Sequence, residues 1–295
     1  MEMIKDYTGR DYRTVWEGPK AEFEDRFETA IIRRLLSPAP GWFLDLGAGY
    51  GRLQPFYARP GRRAVLVDYA VDALQLAAQN LGERDDVHYV AANAYHLPFR
   101  AGAFDAGISI RTYHHMNLPE RFLEELGRTL GGGARFLVEY SNKRNALRLV
   151  RYGRRALRRD HEHYGGLLFG SHPRYFAELC LRAGLEVVRS EGTGFMPRVV
   201  ERVPAAAAPL GLVEWALDAA IGGQLAPMTF ADVAKRGRER PSQAESLLEL
   251  LCCPACGGEL DDEEAHLACG GCGARYPRVG AVVDLRHPPD LHTEP

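Results

Sequence analysis

Between residues 42 and 140, five short apolar runs alternate with helical segments, and this alternation restricts the chain to few architectures. WFLDL (42–46), AVLVD (64–68), VHYVA (87–91), Phe104–Ile110 and ARFLVEY (134–140) read as strands. Residues 20–36 place Phe23, Phe27, Ala30, Ile31 and Leu35 at helical spacing, and the prolines of 37–41 end that helix. Further helices are expected at Leu53–Tyr57, Val71–Asn80 and Glu120–Leu130, the last stopped by Gly131, Gly132 and Gly133. Strands that alternate with helices build a parallel sheet covered on both faces, so the expected class is α/β. Pro173–Ala183 and 205–222 read as later helices, with LEVVRS (185–190) and 226–235 as the last strands.

At 295 residues and 46% apolar composition, the chain can hold one large core with a small satellite. With 37 basic and 39 acidic side chains, whole-chain charge selects no partner, but its distribution is uneven. Lys143–Arg159 carries eight Lys or Arg and no acid, whereas the chain from Glu245 onward carries ten acids and three arginines. The N-terminus lacks the apolar run of a signal peptide, and no stretch approaches the length of unbroken apolar residues that a membrane span needs. A cytoplasmic protein with no membrane partner is therefore expected.

FLDLGAGYGRLQPF (43–56) runs an apolar strand into Gly47, Gly49 and Gly51. Small residues there let the chain turn sharply and approach a ligand closely. Asp68 closes the second strand, where a carboxylate can accept bonds from two ribose hydroxyls. Spacing alone implies a nucleoside-bearing cofactor. Asp45, just ahead of the glycines, disfavours a pyrophosphate over the loop and suits an ammonium group.

LDLGAGYGR resembles the first motif of the class I S-adenosylmethionine-dependent methyltransferase family, in its type 11-like branch, and VLVDYAVDALQLAAQN resembles the segment that follows. The resemblance covers about 41–140 well and 1–40 and 171–235 loosely. It implies a Rossmann-like seven-strand sheet. Asp45, Gly47 and Gly49 would hold the methionine portion of S-adenosylmethionine, and Asp68 with Tyr69 beside it the ribose. Asn93, standing where the family usually has Asp, and Ala94 would lie at the adenine, with Leu97 near its plane. Arg111 would border the cofactor.

His114 and His115, after the fourth strand, are each a candidate general base or a capping and packing residue. Glu139 is a candidate to orient an acceptor amine, or a partner for Lys143. Methyl transfer needs mainly alignment, so a side-chain base is not obligatory. Tyr7, Tyr12 and Trp16 are candidates for a lid or ordinary packing residues. His161, Glu162, His163 and His172 fit a substrate pocket or lid better than a metal site. Arg144, Arg148, Arg151, Arg155 and Arg158 form a basic stripe that would meet phosphates or solvent.

Cys253-Pro-Ala-Cys256 and Cys269-Gly-Gly-Cys272 are separated by twelve residues. Each pair supplies one edge of a tetrahedral four-thiolate Zn²⁺ site. Cys252 falls outside that spacing, and Cys180 reads as core. LLELLCCPACGGEL and CGGCGARYPRVGAVVDL, spanning about 247–285, resemble a small zinc-binding protein that partners and stabilises tRNA and release-factor methyltransferases. The expected organisation is a methyltransferase unit at 1–240, with a basic helical insertion at about 142–170, and a zinc-binding module at 247–287. Opposite charges would dock the module on the 143–159 helix, with Leu247, Leu248, Leu250, Leu251 and 279–285 as apolar contacts.

The expected activity is methylation of O, N or S on a small molecule. An RNA or protein acceptor and a non-catalytic cofactor-binding scaffold are the alternatives. The fourth strand is not followed by the Asn-Pro-Pro-Tyr or Asp-Pro-Pro-Tyr run that, in the resembled superfamily, would suggest an adenine or glutamine nitrogen as acceptor.

Overall fold

The computed structural model describes residues 2–10, 12–82, 84–238, 242–286 and 293–294. Strands β1 (Gly41–Leu46), β2 (Arg62–Asp68), β3 (Val87–Ala91), β4 (Phe104–Ser109) and β5 (Leu130–Ser141) are parallel. A hairpin of β6 (His161–Gly165) and β7 (Leu168–Ser171) stands apart from this sheet. Strand β8 (Leu185–Thr193) follows, and β9 (Met228–Lys235) inserts antiparallel between β5 and β8. The resulting order is β3-β2-β1-β4-β5-β9-β8, the expected seven strands.

Alternation along the strands separates the two faces of the sheet. Leu44, Leu46, Val65 and Val67 join one cluster with Phe122, Leu123 and Leu126 of α4 (Pro119–Thr129) and Phe176 and Leu179 of α6 (Pro173–Arg182). Phe43, Ala64 and Leu66 join the other with Ile31, Ile32 and Leu35 of α1 (Pro19–Leu35) and Leu74 and Ala77 of α3 (Val71–Leu81). Pro55 sits in the first turn of the short α2 (Gln54–Tyr57), where a proline costs no hydrogen bond.

Gly131–Gly133 do not stop a helix. The helix ends at Thr129, and the glycines open β5. A Cβ on Gly132 would lie 2.2 Å from the Arg238 carbonyl oxygen, so the strand start is built for close backbone passage.

The basic segment forms α5 (Ala146–Tyr152) and a 3₁₀ turn (Gly153–Leu157), capped by Asn145, whose side chain accepts from Arg148 N. Gly153, at φ 50°, divides the expected continuous stripe. After β8 come α7 (Pro197–Arg202) and α8 (Ala207–Leu217), the latter within an apolar helical run, Pro204–Leu225. By length and average composition alone that run would suit a membrane span, but Glu214 and Asp218 interrupt it, so no unbroken apolar stretch of that length exists, as expected. Its flanking strands pair side by side, Thr193 opposite Met228, so the chain leaves and re-enters the sheet at one edge.

From β9 the chain crosses to the opposite edge. Ser242 N donates to Asp105 Oδ1 (2.8 Å), and Trp42 Nε1 and Arg63 Nη2 donate to the Ala244 carbonyl (2.8 and 2.9 Å). Cys252 N donates to Pro98 O (3.0 Å), and Leu250 O accepts from Arg100 N (2.8 Å). The module contains α9 (Leu247–Leu250) and strands β10 (Leu260–Asp262), β11 (His266–Cys269), β12 (Arg275–Val279) and β13 (Val282–Asp284). Strand β13 pairs parallel with β3, Val283 opposite Val90, and extends the sheet to eleven strands.

The module therefore docks at the β3 edge rather than on the basic helix. An uncovered edge strand offers a row of unpaired N–H and C=O groups, and β13 satisfies them. Among the described residues no ion pair joins 143–159 to the tail. Lys143 and Arg148 instead meet Glu162 at 3.2 and 3.0 Å, and Arg155 meets it at 2.9 Å. The apolar contacts are those expected: Leu250, Leu251, Val283 and Leu285 are buried in the α4/α6-side core, with Leu247 and Leu248 packed against it.

Candidate functional site

A pocket opens at the carboxyl ends of β1–β4, where open sheets of this type place ligands. Asp45, Gly47, Gly49, Asp68, Tyr69, Asn93, Ala94, Arg111 and His115 all line it. His114, Glu139 and Leu97 do not belong to that lining.

The turn after β1 needs glycine for two reasons. Gly47 has φ +83°, and a Cβ there would lie 1.8 Å from Thr112 Oγ1. Asp45 is buried and accepts from the Tyr57 hydroxyl (2.7 Å). Burial, aided by the nearby Asp68 charge, pushes the Asp45 carboxyl up to about 7 despite that hydrogen bond. Asp68 accepts from Gly49 N (2.8 Å) and Ala70 N (3.0 Å), which aim its carboxylate beside the glycine turn. Burial raises its pKa against those two bonds.

Asn93 Oδ1 accepts from Tyr95 N (2.9 Å), and its Nδ2 donates to Glu2 (3.4 Å). Glu2 also meets Arg121 (2.7 Å) and His96 (2.9 Å), so it ties the N-terminal segment across the pocket. Ile4, Lys5, Tyr7 and Trp16 line the site from that segment. The side chain of Tyr12, another lid candidate, lies outside the described residues.

Trp16 lies between two guanidinium groups, Arg52 at 3.6 Å and Arg111 at 5.1 Å from its ring. Buried Glu28 accepts from both arginines, Glu24 pairs with Arg111 (3.2 Å) and Asp25 with Arg52 (2.5 Å). Arg111 adopts φ 59°, uncommon for a side-chain-bearing residue, and its N–H donates to Glu139 Oε2 (2.7 Å). Burial lowers the Arg111 pKa, but Glu28, Glu139 and Glu24 outweigh it and hold the group above its ordinary value. Glu139 is itself fully buried, and burial pushes it up to about 7 against the attraction of Arg111. It makes no ion pair with Lys143, which is held by Asp160 and Glu162.

His115 Nδ1 faces the Leu167 carbonyl (2.7 Å), and Nε2 faces the Tyr7 hydroxyl (3.0 Å). A carbonyl only accepts, so Nδ1 carries the proton and Nε2 of the neutral ring accepts from Tyr7. Burial lowers the pKa of His115 and, more strongly, that of His114. His161 braces the same turn through Met116 O (2.8 Å) and Ser171 Oγ (2.8 Å). Neither it nor Glu162, His163 and His172 lines the pocket.

In the tail, the sulfurs of Cys253, Cys256, Cys269 and Cys272 lie within 4.8 Å of one another. Two of the separations are 3.7 and 3.5 Å. A tetrahedron with Zn–S bonds of about 2.3 Å has edges of about 3.8 Å, so the donor set fits Zn²⁺. Cys252 and Cys180 stand outside this cluster.

Residues 44–138 match the family model described as a methyltransferase domain. The chain therefore carries such a domain, with a cofactor site for S-adenosylmethionine. Residues 245–277 match the Trm112p-like protein family, so the zinc module is a Trm112p-like one.

A demethylmenaquinone methyltransferase of Clavibacter sepedonicus is 33% identical over 115 residues, 39% of this chain and 47% of that protein. A malonyl-[acyl-carrier protein] O-methyltransferase of Geobacter sulfurreducens is 33% identical over 114 residues, 36% of this chain and 43% of that protein. The chain thus spans about half the length of the curated relatives it matches. Among solved structures, one from the complex of the Haloferax volcanii Trm112 methyltransferase activator aligns at TM-score 0.53 and 20% identity, covering 78% of this chain and 100% of the other. A SAM-dependent methyltransferase of Thermotoga maritima aligns at TM-score 0.52 and 16% identity, covering 76% and 94%. These likenesses show the fold.

Proposed function

We propose that this chain transfers the methyl group of S-adenosylmethionine to a small acceptor molecule, the zinc module stabilising the methyltransferase unit. The observation that carries this reading is the convergence of Asp45, Asp68 and the positive-φ glycines on one pocket. The names of the curated relatives, demethylmenaquinone methyltransferase and malonyl-[acyl-carrier protein] O-methyltransferase, support a small or carrier-bound acceptor.

The bound cofactor supplies a methyl group activated by a positive sulfur that departs as a neutral thioether. Asp45 would face the cofactor ammonium, Asp68 would take the ribose hydroxyls, and Asn93 and Ala94 would border the adenine. Trp16 and Tyr7 close the pocket over the reacting atoms and exclude water. His115 Nε2, through the Tyr7 hydroxyl, receives the proton that an O, N or S acceptor loses as its lone pair bonds the methyl carbon. His114 and Glu139 act behind this surface, His114 by packing on His115 (4.1 Å between rings) and Glu139 by fixing Arg111.

Asp68→Ala should weaken cofactor binding by roughly 100-fold, the loss of two hydrogen bonds to a charged acceptor. Unchanged affinity by calorimetry would remove Asp68 from the site. Methyl-labelled cofactor incubated with fractionated metabolites, lipids, RNA and proteins identifies the acceptor class. The Trm112p-like module favours one second reading, a macromolecular acceptor, which label in RNA or protein would support.

The raised Asp45 pKa adds a pH signature. Its folded-state value of about 7 lies above the ordinary carboxylate value, so the empty site holds a proton below neutral pH. Binding of an ammonium ionises it, so affinity should fall by up to about tenfold per pH unit below 7, with proton release. Calorimetry in buffers of differing ionisation enthalpy should detect released protons at pH ~6 and few at pH ~8. Asp45→Asn should abolish the difference.

A further inference from the structure

The apolar run Pro204–Leu225 is a surface feature of the domain, with few of its residues buried. Leu212 is 74% exposed, and Val213 and Trp215 face outward with Ala205, Ala208, Ala216 and Ala220. The two acids in this run are turned inward. Glu214 is buried and accepts from the backbone N–H groups of Gly194, Phe195 and Met196, and both Asp218 carboxylate oxygens are shielded from solvent. The run itself thus exposes no charged side chain, and the Arg34 guanidinium lies 5.1 Å from the Trp215 ring.

Beside it lies the basic segment, joined through Asn142 and Arg144, whose side chains bond Gln224 at 3.1 and 3.3 Å. Here Val150 is 90% exposed, and Leu147 and Leu157 are also exposed. Arg151, Arg154 and Arg159 are exposed between them and, among the described residues, pair with no acid. The basic segment thus exposes apolar side chains and unpaired arginines together.

We propose that α8 and α5 form one docking face for an anionic lipid bilayer. A charge-free apolar helix with neighbouring arginines matches a segment lying in the membrane interface, apolar atoms in the acyl boundary and guanidinium groups at the phosphates. The helix does not span, because both of its ends return to the same sheet edge. A partner that is anionic but wholly polar, such as RNA, would leave the apolar face uncovered. A second copy meeting this face would bring its own unpaired arginines to it without a matching acid. The inference differs from the expectation of no membrane partner and does not depend on the cofactor reading.

Co-sedimentation of the full chain with phosphatidylcholine vesicles, alone or mixed with phosphatidylglycerol, tests it. The protein should pellet with the mixed vesicles, and salt should release part of it. Arg151→Glu and Arg154→Glu should each lower partitioning by about fivefold or more. Leu212→Asp with Val150→Asp should abolish it, while cofactor binding by calorimetry stays unchanged and shows the variant folded. Three results would overturn the proposal: no sedimentation with either vesicle, a dimer in light scattering that Leu212→Asp dissociates without any vesicle binding, or RNA binding lost on the arginine changes while vesicle binding is absent.

Discussion

Cys253→Ala is expected to empty the zinc site and to lower the melting temperature of the whole chain by roughly 10 °C or more, about 4 kcal/mol for a chain of this size. Structural zinc contributes folding free energy directly, on the order of 10 kcal/mol in small domains. Here the module has no core of its own to fall back on. Cys253, Cys269, Leu267 and Tyr276 are buried in the same apolar cluster as Phe122 and Phe176 of the methyltransferase unit. Strand β13 closes the edge of β3, so a disordered module would also expose that backbone. Elemental analysis should find one zinc per chain in the parent and none in the variant. Calorimetry should show one shifted transition. A melt in two steps, with the main one unmoved, would disprove the coupling. Cys252→Ser is the control, expected to keep its zinc because that residue stands outside the cluster.

Gly47→Val is expected to destabilise the chain by roughly 3 kcal/mol or more and to abolish cofactor binding. A side chain at φ +83° is strained, and its Cβ would overlap Thr112, whose own Cβ and methyl lie 2.8 Å from that position. Thr112 follows Arg111 and precedes the His114–His115 turn, so the overlap spreads across the acceptor side of the pocket. Gly49→Ala makes the comparison. Gly49 has φ 54°, but nothing lies within 4 Å of its added Cβ. That change should cost only about 1–2 kcal/mol, from backbone strain alone. Chemical denaturation measures both, and equal losses would mean that overlap with Thr112 is not what excludes a side chain at Gly47.

The strands, the glycine turn and the cysteine cluster were legible because their signals are local. The near-continuous apolar runs of β1 and β2, and the two C-x-x-C pairs, each act over a few residues. What escaped notice depends on distant pairs. Nothing near Glu2 announces Arg121 or His96, and nothing near Asp45 marks Tyr57 as its hydrogen-bond donor. Trp16 was visible as a lid aromatic, but its place between Arg52 and Arg111 depends on how α1 lies against two loops. The docking site was misread for a different reason. Opposite net charges suggested the basic helix, whereas Lys143, Arg148, Arg155 and Arg158 pair locally with Asp160 or Glu162 and, among the described residues, none pairs with the tail. The unpaired backbone edge of β3 holds the tail instead, and a charge count does not see an edge.

The crossing segment beneath the sheet gives the module a property that a separate subunit would lack. Ser242 and Ala244 are pinned to Asp105, Trp42 and Arg63, so the chain reaches the β3 edge along a fixed route. Strand β13 therefore meets β3 at a local concentration set by tether geometry, not by expression level. Two free chains would separate as the protein is diluted, and each would then need its partner to be synthesised in step. In this arrangement stoichiometry is one to one by covalent connection, and the sheet edge stays closed at any dilution.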